Sequence, residues 1–323
     1  MSKYAILNFS LLLAIVALVA FIIYDPSESR IPKATPLTSI NPASIDTITI
    51  EQREKSKITL KKRQTIDSNE YWAITHPITI TASTQKMNRL MDVLAAGSIR
   101  QYNIAQEQYS KFGLAPPQWQ LQFNQQTIKL GNTDAINQYR YVLINEKVHL
   151  ITDRYTHQLS DLPLSLASLE LLPDNKDIRE IQTPSLTLTQ TNGRWQFTAV
   201  RPDDSTATTA TKIDSQDTIN AFIDEWRHAQ ALRLSFTPES TQQKTAAQDA
   251  DTQFPQNINE QQQVIILTGE KRGITRFVIQ RDNDNVKLIR QDLGIAYHLS
   301  NNAKERLLNP PLHPESLHEQ PDK

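Results

Sequence analysis

The chain of 323 residues contains no cysteine. Disulfide staples, thiol nucleophiles and thiolate metal sites are excluded, and so is lipoprotein acylation, which needs a cysteine. Glycine is scarce, 7 residues in all, and neither a G-x-G-x-x-G nor a Walker pattern occurs. The glycine-rich loops that cradle phosphates are therefore missing. No charge sign is in excess: 34 Lys+Arg face 35 Asp+Glu, a formal net charge of −1. That balance leaves no footprint for broad nucleic-acid binding, and no nucleic acid is expected as a partner. There is also no G-x-S-x-G elbow and no H-E-x-x-H pair. The sequence thus nominates no catalytic, cofactor-binding or metal-binding residue, and the expectation is a protein that is not an enzyme.

What is present begins at the N-terminus, MSKYAILNFSLLLAIVALVAFIIYDPSESR. Residues 4–24 carry no charged side chain, and Asn8 and Ser10 are their only strongly polar members. About 21 residues at about 1.5 Å each give roughly 32 Å of helix, enough to cross a hydrocarbon core of about 30 Å. Helix is required there, because lipid cannot satisfy free backbone groups. A cleaved signal peptide has a shorter apolar run with small residues before the cut; here the place before Ala20 that needs one holds Leu18. The reading is a transmembrane anchor over residues 1–24, contacting the lipid bilayer through residues 4–24. Lys3 precedes it, while Asp25 and Glu28 partly offset Arg30 and Lys33 after it. The basic flanks nearly balance. Short N-terminal tails stay inside, so the body is expected in the periplasm, tethered to a bacterial inner membrane by one pass.

Residues 25–44 hold four prolines and several serines and read as an extended stalk. Beyond it the body is written twice. IDTITI, KITLKKRQ and EYWAITHP match IREIQT, SLTLTQT and GRWQFTAV, each triplet ending on a strand centred on Trp72 or Trp195. A helix follows each. Met87, Leu90, Met91 and Leu94 form one stripe, and Ile219, Phe222, Ile223 and Trp226 form the other. Ser83 or Thr84, and Asp214 or Ser215, are candidate helix caps. Strands then resume: WQLQF, QTIKLGN, YRYVLIN and KVHLITD in the first copy, QVIILTG, ITRFVIQR, NVKLIRQ and IAYHLS in the second. Each copy ends on an expected short helix, SLASLELLP or NNAKERLLNPP. The fold class is α+β: an N-terminal transmembrane helix, then two repeated modules of antiparallel sheet backed by a helix, over 45–175 and 176–308. Residues 237–262, rich in Gln, Thr, Asn and Asp, read as a mobile loop inside the second module, and 309–323 as a tail.

The first module resembles the DUF4340 family, a bacterial group without an assigned function. The resemblance rests on the Trp72 strand, the helix over 84–96, Phe112-Gly113-Leu114 with Pro116-Pro117, the Leu130-Gly131 turn, Tyr141-Val142 and the Val148–Ile151 strand. It covers roughly residues 46–175, and the second module matches in order of elements but not in motif. It implies a membrane-anchored accessory role, since some members accompany or are fused to components of gliding-type ABC transport systems. The expected function is a binding or accessory subunit of a membrane complex, with an ABC transporter as the membrane-protein partner. The alternatives are a binding module for an envelope polymer or small ligand, then an envelope hydrolase.

Individual residues carry weaker signals. Phe112-Gly113-Leu114 is expected to be a corner that locks helix to sheet, because it holds no nucleophile, acid or base. Of the seven histidines, His149 alternates with Val148 and Leu150 and is expected on the solvent face of its strand; His313 and His318 lie in the tail. Asp282, Asn283, Asp284 and Asn285 lack the glycine and late glutamate of a calcium loop and read as a hairpin turn. Arg53, Lys55, Lys57, Lys61, Lys62 and Arg63 read as a solvated strand face. The contact site expected to meet a partner is the helix face of Asp224, Glu225, Arg227 and His228, or else the 237–262 loop.

Overall fold

A computed structural model describes residues 3–23, 35–65, 68–172, 177–199, 216–237, 263–269, 273–282 and 285–308. The chain is mixed helix and antiparallel sheet, and its residues gather into two compact units, each assembled from separate stretches. The first unit holds residues 1–44, 91–120 and 127–154; the second holds 45–90, 121–126 and 155–323.

In the first unit, helix α1 runs Lys3–Ile23, with side chains described at Phe9 and residues 11–20. Among the described residues no helix is long and apolar enough to cross a membrane. Strand β1 (Thr35–Pro36) pairs with β6 (Gly97–Ser98). Strands β9 (Gln126–Thr133), β10 (Tyr139–Ile144), β11 (Lys147–Thr152) and β7 (Arg100–Tyr102) lie side by side in that order, all antiparallel. The β10–β11 hairpin closes through Asn145 and Glu146 at φ +47° and +64°. Two successive left-handed residues match the right-handed twist of a tight hairpin.

In the second unit β2 (Thr47–Gln52), β3 (Ile58–Gln64), β4 (Glu70–His76) and β5 (Ile80–Thr81) form a meander. Strand β8 (Trp119–Phe123) enters this unit at Leu121 and meets β2, where Asn124 N–H donates to the Thr47 carbonyl at 2.9 Å. The Asn124 side-chain oxygen in turn accepts from the amides of Asp46 and Thr47. The α-helix α2 covers Thr84–Met91, shorter than the expected 84–96, and continues as a 3-10 turn over Asp92–Ala95.

The larger sheet of this unit has eight strands. They are β12 (Ile178–Gln182), β13 (Leu186–Thr191), β14 (Arg194–Ala199), β15 (Arg233–Phe236), β16 (Gln263–Thr268), β17 (Gly273–Asp282), β18 (Asn285–Arg290) and β19 (Ile295–His298), ordered β14-β13-β12-β16-β17-β18-β19-β15. Helix α3 (Gln216–Arg227) buries Ile219, Phe222, Ile223 and Trp226, the stripe its spacing demands. Its first side chain grips β14: Gln216 Oε1 accepts from Trp195 N–H at 3.1 Å and its Nε2 donates to the Trp195 carbonyl at 3.0 Å. The candidate caps Asp214 and Ser215 lie outside the described residues. Helix α4 covers Asn301–Leu308.

The expected helix at SLASLELLP does not form. Residues 166–168 pair instead with the β5 edge, through Ser83 N–H to Leu166 O and Ser168 N–H to Thr81 O, both at 2.9 Å. Residues 169–171 then pair with 229–231, through Ala231 N–H to Leu169 O at 2.8 Å and Leu171 N–H to Ala229 O at 3.0 Å. Backbone pairing on both sides of a leucine-rich stretch outweighs its modest helix propensity. The helical turn of this region sits earlier, at Thr156–Leu159.

Trp226 is fully buried, 6.3 Å from the Phe277 ring, which meets Tyr297 edge-on at 6.0 Å. Trp226→Ala is expected to cost about 3–5 kcal/mol of unfolding free energy, the usual loss for a large aromatic in a packed core. Among the described residues the indole Nε1 has no hydrogen-bond partner, so Trp226→Phe should cost much less. Urea titrations of the two variants check the difference.

Candidate functional site

The Phe112-Gly113-Leu114 step closes a 3-10 segment, Gln106–Phe112, with Gly113 at φ +68°. Gly113 N–H donates to Ser110 O and Leu114 N–H to Tyr109 O. A side chain at Gly113 would collide with the Asn132 amide, and one at Gly131 with the Phe112 carbonyl. Two glycines therefore let two backbones touch. Leu114 packs with Tyr109, Leu143 and Val148, and the Phe112 ring lies 4.8 Å from Tyr141. Every residue of the step serves packing or turn geometry.

Beside this corner sits Arg140, a charged residue only 8% exposed. Its Nε donates to Asp153 Oδ2 at 2.8 Å and its Nη2 reaches the same oxygen at 2.7 Å. Nη1 donates to Gln118 Oε1 at 2.9 Å and also to the Gly131 carbonyl. The guanidinium lies 5.5 Å from the Trp119 ring centre. Strand register shifts between Arg140 and Val142 opposite β9, the mark of a bulge, and the bulge aims the arginine inward. Burying a guanidinium is tolerable only when its donors are met, and here one carboxylate, one amide and one carbonyl meet them. The sequence marked neither Arg140 nor Asp153, because single charges within strand patterns carry no signal.

Two serine–histidine pairs also escaped the sequence. Ser98 Oγ and His149 Nδ1 are 2.9 Å apart in the first unit, and Ser235 Oγ and His298 Nε2 are 2.8 Å apart in the second. Each histidine precedes a leucine, in Val148-His149-Leu150 in the middle of β11 and in Tyr297-His298-Leu299 at the end of β19. His149 is 7% exposed, which corrects the expected solvent-facing placement: residues 148–151 are all buried, and the serine contact makes burial of the ring tolerable. Burial, then Lys147, holds His149 below the ordinary 6.5; burial, then Arg233 and Lys287, does the same to His298. A serine beside a neutral histidine is the start of a nucleophile–base pair. Among the described residues no carboxylate is found orienting either ring, and no group of three His, Asp or Glu side chains could hold a metal.

The remaining expected features are engaged locally. On α3, Asp224 pairs with Arg227 at 2.8 Å, Glu225 with Arg306 of α4 at 3.1 Å, and His228 Nδ1 with the Asp224 carbonyl at 2.9 Å. In the basic run, Lys57 meets Glu51 and Lys62 meets Glu70. Strands β17 and β18 pair down to Asp282↔Asn285. Residues 283, 284 and 238–262, and His313 and His318, lie outside the described residues.

Two predictions follow from these contacts. Arg140→Leu removes the guanidinium that meets the Asp153 carboxylate and should cost about 3–5 kcal/mol, most of it recovered in the Arg140→Leu/Asp153→Leu double variant, as read by urea unfolding. Both histidines have depressed folded-state values, so below 6.5 the unfolded chain binds protons that the folded chain refuses. Their contribution is complete above that pH and is lost as pH falls through the lower folded values. Thermal melts between pH 7.5 and 5.5 should show a falling midpoint, and a His149→Gln/His298→Gln chain should show a flatter profile.

The sequence model of a family described as a domain of unknown function, DUF4340, matches residues 72–251. The match starts at Trp72 and runs past the first half of the body into the second, further than the motifs alone suggested. No curated protein and no solved structure matches the chain.

Proposed function

The chain belongs to the DUF4340 family, whose function is unassigned, and from that premise we propose that it is a single-pass, membrane-anchored binding subunit of a membrane complex. The observation that carries the reading is the surface of α1. Phe9, Leu11, Leu12, Leu13, Ile15, Val16, Leu18 and Val19 are each 48–67% exposed. Each such side chain favours an apolar surrounding over water by about 1.5–3 kcal/mol, so a helix apolar all round calls for lipid. The ten consecutive described side chains, 11–20, account for about 15 Å of span, and the apolar sequence of 4–24 supplies the rest. With Lys3 on the inner side the body stands in the periplasm. The partner this reading favours is an ABC-type transporter, as the family resemblance implies.

The body is read as one module used twice. In support, β4-β3-β2-β8 has the neighbour order of β14-β13-β12-β16, and β9-β10-β11-β7 that of β17-β18-β19-β15. A helix follows the third meander strand each time, α2 after β4 with the short β5 between, and α3 after β14. Two antiparallel sheets, with Asp224, Glu225 and Arg227 of α3 held in ion pairs, suit a scaffold that presents surface to a partner.

Affinity capture of the full chain from crosslinked native membranes, with mass spectrometry, tests the reading. One stoichiometric membrane complex is expected, and it should vanish when residues 45–308 are deleted and the anchor kept. Recovery of nothing beyond the anchor-only control would sink it.

A further inference from the structure

We propose that the pairing of residues 35–38 with residues 94–98 is a clasp that limits how far the β9-β10-β11-β7 strands of the first unit reach from the bilayer, confining its partner to the membrane-proximal zone. The inference rests on the anchor reading of α1 and adds to it a length. Residues 24–34, eleven in number, connect α1 to β1. Fully extended, they span at most about 40 Å.

The clasp is built rather than incidental. Thr35 faces Ser98 and Pro36 faces Gly97 in antiparallel register. Leu37 N–H donates to Ala96 O at 2.9 Å, and its side chain is buried, 8% exposed. Thr38 places both its N–H, at 3.0 Å, and its Oγ1, at 2.9 Å, on the Leu94 carbonyl. The same Oγ1 accepts from Ile40 N–H. Asn41 then holds the next turn, its side chain accepting from Ala43 N–H and its carbonyl from Ser44. Ten residues, 35–44, which a Pro- and Ser-rich composition marks as stalk, are thereby withdrawn from the tether.

The second half of the chain repeats the device. There the lead-in 169–171 pairs with 229–231, the segment just after α3; here the lead-in 35–38 pairs with 94–98, the end of the α2 turn and the residues after it. In one case the covalent neighbour upstream is folded body, in the other it is the anchor. A seat that accepts whatever precedes it, used on the anchor side, takes up slack. Releasing it would lengthen the connection to residues 24–38, 15 residues with an extended limit of roughly 54 Å.

The absence of cysteine allows a direct measurement. Ile136, 87% exposed at the β9–β10 turn of the first unit, is replaced as Ile136→Cys and labelled in the full chain. Energy transfer to a headgroup dye is read in vesicles of phosphatidylethanolamine and phosphatidylglycerol. Leu37→Asp with Thr38→Pro opens the clasp and releases residues 35–38; a four-residue Gly/Ser insertion between Glu28 and Ser29 adds as many with the clasp closed. Both lengthen the connection from α1 to the body by four residues, so both should lower transfer alike, the extended limit rising from about 40 Å to about 54 Å. An unchanged thermal melt of the body shows that the clasp variant is folded. Transfer that falls with the insertion but not with the open clasp overturns the proposal, as does transfer that neither change moves. A chain that does not enter vesicles at all overturns the anchor reading, and the clasp's role with it.

Discussion

A guanidinium buried beside a glycine corner sets the terms for the first unit. Arg140 cannot shed its charge, so its surroundings have to supply acceptors, and they come from three separate stretches: Gln118, Gly131 and Asp153. Holding those stretches together fixes the bulge in β10, brings Gly131 against the Phe112 carbonyl, and leaves Gly113 as the residue that can sit against Asn132. Attraction in a buried ion pair is largely offset by the desolvation of both partners. What the pair contributes is therefore uniqueness of arrangement more than net stability.

The second unit solves the same problem with backbone rather than charge. Residues 166–171 are paired on one flank with β5 and on the other with 229–231, and Gln216 bonds both backbone groups of Trp195. Core contacts such as Trp226–Phe277–Tyr297 then fill the space those pairings define. Under the proposed duplication, the seat after each helix is the recurring joint. The charged face of α3 fits this picture as bracing: Glu225 is held by Arg306, and Asp224 by Arg227.

Much of the architecture could be read from period and punctuation. The two helix stripes, the Trp72 and Trp195 strands and the four-strand runs after each helix are local patterns, and local patterns survive folding because they reflect which face a side chain must bury. The readings that failed did so where partners came from afar. SLASLELLP has the composition of a helix, but it is held extended by residues about sixty positions away on one side and more than eighty on the other. His149 alternates as a surface residue should, but Ser98, 51 positions earlier, receives its ring.

By itself the sequence determined the apolar segment at the N-terminus, the scarcity of glycine and the lack of cysteine that exclude whole classes of chemistry, and the α+β order of elements. These depend on composition and on periods of two and 3.6 residues, which one stretch of chain contains entire. Only the tertiary structure decided that Arg140 meets Asp153, that two serines meet two histidines, and that residues 35–38 leave the stalk to pair with 94–98. Each of those is a bond between groups distant along the chain, and its strength depends on burial and direction that no single stretch records.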